Sequence, residues 1–159
     1  MKSKFKLTLT ILLSFILIIN TSLYASTLPS NSQQDVQQYI SNLTLLKNNM
    51  YTLAQEIVFS WDDTSSADDA LTRLHSSLNN TANKIGLNLN SAPQDSSLYR
   101  NLLILFNATN YLKAALYELE LLAQQNTPSE KIRTLERYFN FLVYANNSIR
   151  FFDNLQSIS

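Results

Sequence analysis

The stretch LYRNLLILFNATNYLKAALYELELLAQ, Leu98–Gln124, decides the fold. Leu98, Leu102, Leu105, Thr109, Leu112, Leu116, Leu119 and Ala123 recur in alternating steps of four and three. That spacing draws one apolar seam along a helix, and such a seam is buried only by packing on other helices. Thr109 is its one polar member, and Leu103, Phe106, Leu121 and Leu122 widen it. The spacing predicts a helix over about 98–124.

On the carboxyl side the chain reads T-P-S-E, Thr127–Glu130. Thr127 suits an N-cap, Pro128 the first helical position, and Glu130 the third position of a capping box. A helix is predicted from there to about Leu155, with Ile132, Leu135, Phe139, Leu142, Ala145, Ile149 and Phe152 as its core face. On the amino side, LNLNSAPQDSS (87–97) breaks the helical pattern and reads as a loop. Gly86, the only glycine of the chain, suits a left-handed position closing the helix before it. That helix starts near Ser65, with Asp68 in a capping-box-like position, and buries Leu71, Leu74, Leu78, Ala82 and Ile85.

A first helix is predicted over about Gln33–Trp61, with Asn31 or Ser32 as its N-cap. Val36, Ile40, Leu43, Leu46, Met50, Leu53, Ala54, Ile57 and Trp61 form its stripe. One glycine and three prolines in the whole chain leave little for hairpin turns or phosphate loops. The expected fold is all-α: a four-helix, up-down-up-down antiparallel bundle over 33–159. A long dimeric coiled coil is the competing arrangement, and breaks near residues 63, 90 and 126 argue against it.

Residues 1–25 read as a cleaved signal peptide. Lys2, Lys4 and Lys6 precede an apolar run, Leu7–Ile19, and small residues end at Ala25. A short flexible segment, 26–32, would follow. The expected destination is a bacterial periplasm or the exterior. If the segment were not cleaved, it would anchor the chain, and it offers the one expected membrane contact. The chain has no cysteine, so neither disulfides nor a lipidated cysteine are available. Twelve basic residues balance twelve acidic ones, and three of the basic ones would leave with the signal. The slight acidic excess that remains disfavours nucleic acid as a partner. Asn-x-Ser/Thr triplets at Asn42, Asn79, Asn107 and Asn146 fall in predicted helices, where glycan acceptors are not expected.

Few residues suggest chemistry. His75 is the only histidine, so a histidine-rich metal site is ruled out. Asp62, Asp63, Asp68 and Asp69 make an acidic turn, but their spacing is not that of a calcium loop. Glu118 and Glu120, two apart, should point to different sides of their helix, and no Glu-x-x-His pair accompanies them. Met50 and His75 are the available haem ligands of the mature chain. No cofactor, metal or catalytic constellation is expected.

The remaining signal is aromatic. YFNFLVYANNSIRFF, Tyr138–Phe152, projects at about 100° per residue onto two faces. Leu142, Ala145, Ile149 and Phe152 share one. Tyr144, Phe151 and Leu155 share another, with Arg133 and Arg137, while Phe141 lies between. Aromatic and arginine side chains are favoured at protein interfaces. The expected function is non-catalytic binding of another protein, or of a second copy, through Phe141, Tyr144, Phe151, Arg133 and Arg137. The alternatives are a binder of a small apolar ligand or lipid in the bundle core, and an enzyme of unfamiliar kind.

Overall fold

The computed structural model describes residues 30–59 and 65–156, with side-chain surroundings given over 32–59 and 67–152. The expected signal peptide, Trp61, Asp62 and Asp63 lie outside the described residues. Four helices follow in order: α1 (Ser30–Phe59), α2 (Ser65–Ser91), α3 (Ser97–Gln124) and α4 (Pro128–Gln156). Residues 35–159 form one compact unit, and every contact below lies within it. Of the other unit, residues 1–34, the described part is the start of α1.

The contacts define a ring of antiparallel neighbours. Tyr39 of α1 meets Asn88 of α2, and His75 of α2 meets Glu120 of α3. Glu118 of α3 meets Arg137 of α4, and Lys47 of α1 meets Asn146 of α4. Second contacts, Gly86 with Phe106 between α2 and α3, Tyr111 with Tyr144 between α3 and α4, and Tyr51 with Phe139 between α1 and α4, show one residue number falling as the other rises, as an up-down-up-down bundle requires. Cα atoms approach within 8 Å between α2 and α3 and between α3 and α4. Small buried residues, Ala108 and Ala115 of α3 and Ala145 of α4, permit that approach. The long side chains Tyr39 and Lys47 carry the polar links from α1 to its neighbours.

The seam of α3 is buried as its spacing predicts: Leu102, Leu105, Thr109, Leu112, Leu116 and Leu119 are all in the core. Thr109 donates its hydroxyl proton to the Leu105 carbonyl at 2.8 Å, so its polarity is satisfied within the helix. Ser96 caps α3, accepting from the Tyr99 N–H at 3.0 Å. At α4, the Glu130 N–H donates to Thr127 Oγ1 at 3.4 Å. The Thr127 hydroxyl in turn donates to the Glu130 carboxylate at 2.6 Å, a variant of the expected capping box.

Three expectations are corrected. Gly86 does not close α2: its φ is not positive, and the helix runs on to Ser91. The extra turn is rewarded, because Asn88 donates to the Tyr39 hydroxyl at 2.8 Å and Leu89 packs on the core. The loop therefore shrinks to 92–96, where Pro93, which lacks an N–H, sits. The start of α1 at Ser30 puts Asn31 and Ser32 inside the helix rather than before it.

The third correction concerns the first half of α4. Ile132 and Phe139 are exposed, and Leu135 is half-buried. The buried positions are Thr134, Tyr138, Leu142, Ala145, Ile149 and Phe152. The helix is turned there by about one residue, roughly 100°, from the expected face. A polar contact holds it so: Arg137 reaches back over Thr134 to the buried Glu118, which points the intervening face of α4 at α3.

Candidate docking surface on the third and fourth helices

Glu118 and Glu120 diverge as the helical spacing requires. Glu120 faces α2 and contacts His75 Nε2 at 2.5 Å. Glu118 faces α4, where Arg137 Nε donates to both carboxylate oxygens at 3.0 Å. Arg137 Nη2 also donates to Thr134 Oγ1 at 3.2 Å. Glu118 is buried while Arg137 is half-exposed, so the pair is a carboxylate sunk in the seam with a cation closing over it. The bond to Glu118 is the main reason the Arg137 guanidinium holds its proton even more firmly than usual, against a smaller opposing effect of burial. Arg137 is thus committed within the fold, and of the two expected rim cations Arg133 is the one left projecting from α4.

Seven residues before Glu118 stands Tyr111, and seven after Arg137 stands Tyr144. A seven-residue step returns to nearly the same side of a helix. The two tyrosines accordingly meet across the same seam, ring centroids 5.4 Å apart and planes inclined by 42°. One more such step leads to Phe151 on α4 and, level with it, Ile104 on α3. Tyr144 is 52 % exposed and Phe151 50 %. Phe141 is half-buried and packs against the core. Of the expected docking residues, Tyr144, Phe151 and Arg133 therefore face outward, Phe141 packs inward on the core, and Arg137 belongs to the ion pair.

Tyr111 was not singled out from the sequence. Its signal is the seven-residue spacing to Glu118, which becomes legible once the matching spacing in α4 is set beside it.

A second aromatic group lies on the opposite flank of α4. Tyr51 of α1 and Phe139 are 6.3 Å apart, and Phe139 meets the edge of Tyr138 at 5.1 Å. Tyr138 is wholly buried, and its hydroxyl has no hydrogen-bond partner among the described residues. Burial raises the pKa of that phenol strongly, with the nearby Tyr51 adding to the effect. Tyr39 is also buried and its pKa is also raised, first by burial and then by Asp35, while the bond from Asn88 opposes the shift.

Between α1 and α2 runs a groove of about 460 Å³ with Leu46, Leu53 and Leu74 in its wall and Asn49, Glu56 and Arg73 among its polar lining. It is an open trough between two helices rather than an enclosed chamber. Among the described residues no cluster of three or more His, Cys, Asp or Glu side chains could hold a metal ion, and no helix is long and apolar enough to cross a membrane. The four Asn-x-Ser/Thr asparagines all lie within helices, and Asn146 accepts a hydrogen bond from Lys47 at 2.8 Å.

The fold is that of an all-α four-helix bundle. Comparison with known proteins adds no relative: no family model, no curated protein and no solved structure matches the chain.

Proposed function

We propose that this is an exported, non-catalytic bundle that binds a protein partner through the exposed aromatic face where α3 meets α4. The observation that supports it is the outward placement of Tyr144 and Phe151, half-exposed on a helix whose core is already filled by other residues. Large aromatic side chains left in solvent by a well-packed fold are a cost that burial against a partner recovers. Tyr111 extends the face, and Arg133 supplies an unburied cation on the same side of α4, about 16 Å along the axis from Tyr144; these are residue types that dominate binding energy at interfaces. Export rests on the amino-terminal sequence, with its basic start, apolar run and small residues ending at Ala25.

The test is the double variant Tyr144→Ala/Phe151→Ala. It should leave the melting temperature close to that of the parent and weaken association with a partner captured from the exported fraction by about 100-fold, as loss of two interface anchors does. A large fall in melting temperature with association unchanged would mean that these rings serve the fold.

A further inference from the structure

We propose that the other flank of α4, on its α1 side, binds a second copy of this chain, antiparallel across a two-fold axis at Val143. The inference goes beyond the docking role proposed above and concerns a different surface of α4. Ile132, Phe139 and Val143 lie along this flank, each exposed, and Tyr51 of α1 continues it beside Phe139. It is separate from the Tyr144 face, which lies toward α3.

The charges are what select a second copy. Glu136 stands seven residues before Val143 and Arg150 seven after it, both exposed. All three therefore share one side of the helix. Glu136 and Arg150 are about 21 Å apart along the axis, at 1.5 Å per residue. Among the described residues neither forms a salt bridge within the protomer. A two-fold interface joins the same patch on both copies, so residues equidistant from the axis face one another. With the axis at Val143, Glu136 meets the partner's Arg150, and Arg150 meets the partner's Glu136. Val143 meets the partner's Val143 between them. An acidic and a basic residue set symmetrically about an exposed apolar centre satisfy themselves in this arrangement and in the antiparallel sense. A parallel pairing would set like charges opposite each other. Antiparallel helices crossing at about 20° keep such seven-residue positions in contact.

Sedimentation equilibrium of the purified protein and four variants tests this. The parent should dimerise. Glu136→Arg and Arg150→Glu should each weaken the dimer at least about tenfold, since each puts two like-charge pairs in the interface. The double variant Glu136→Arg/Arg150→Glu should restore the parent affinity to within about threefold, because the pairs re-form with signs exchanged. A dimer untouched by the charge variants but lost in Tyr144→Ala/Phe151→Ala would overturn the inference and leave the docking role of the α3–α4 face standing. A parent that stays monomeric, or charge variants that the double exchange does not rescue, would also overturn it. A dimer insensitive to both sets would overturn the inference as well, and partner capture by the α3–α4 face is decided separately by the capture experiment.

Discussion

The third and fourth helices form one hairpin, but they use their surfaces differently. α3 buries ten residues, from Leu102 to Leu122, spread over more than half its circumference because α2 and α4 press on it from both sides. Among the described residues α4 buries six, all on one narrow side, and leaves Ile132, Phe139, Val143, Tyr144 and Phe151 in solvent. α3 is the more apolar of the two sequences, but hydrophobicity alone does not say which residues of α4 turn inward. Polar placement does. α3 sinks one carboxylate, Glu118, into its seam, and α4 must present Arg137 to it. That requirement turns α4 about its axis, draws Tyr138 inward and pushes Phe139 out.

The largest effects should come from setting Tyr138 against its neighbour. Tyr138→Ala should cost about 3–5 kcal/mol of stability, as deletion of a buried aromatic ring does. Phe139→Ala should cost about 1 kcal/mol or less, since its own ring is half-exposed. Chemical denaturation of the two variants measures both. Equal losses would break the contrast, and a larger loss at Phe139 would restore the rotation expected from periodicity.

Tyr138→Phe is a finer probe of the same position. Its hydroxyl is buried without a partner, so removing it should stabilise the fold by about 1 kcal/mol. A pH signature accompanies it. The folded-state pKa of Tyr138 is raised above the ordinary tyrosine value of 10.0, so the folded chain keeps a proton that the unfolded chain gives up. Stability tied to this group is therefore full below pH 10.0 and falls as pH rises above it. Tyr39 acts in the same direction. Thermal melts between neutral and alkaline pH should show the parent losing stability above that point and Tyr138→Phe losing less.

A smaller gain is expected where α2 meets α3. Gly86 lies inside α2 with an ordinary helical φ, and an added Cβ would meet the Phe106 ring at 3.8 Å, a normal contact. Gly86→Ala should stabilise by about 0.5–1 kcal/mol, through lower backbone entropy in the unfolded chain. A loss of stability in a denaturant titration would show that this seam is tighter than the distances indicate.

Much of the bundle could be read from the residues. The helices, their order and the seams of α2 and α3 follow from leucine spacing and from T-P-S-E. What escaped was the role of tyrosine. Val36, Tyr39, Leu43, Leu46, Met50, Leu53 and Ile57 step 3-4-3-4-3-4 along α1, and all are buried. The reading through Ile40 missed one member of that regular row because a tyrosine can sit in either place. The same ambiguity hid Tyr138. Periodicity ranks Phe139 above it, and the deciding interaction, Arg137 to Glu118, joins residues nineteen apart on different helices. Gly86 misled for a related reason. Glycine permits a left-handed end but does not impose one, and the Asn88–Tyr39 bond that extends α2 is tertiary. The outward face of Tyr144 was legible by projection, whereas its meeting with Tyr111 depends on the register of two helices.

The most direct measurement is hydroxyl-radical footprinting of the tyrosine and phenylalanine rings, on the protein alone and again with the captured protein partner bound. Tyr144 and Phe151 should be oxidised readily without the partner and protected when it is bound, while Tyr138 stays protected in both. Oxidation of Tyr138 as fast as Tyr144, or Tyr144 and Phe151 equally reactive in the two states, would contradict the account.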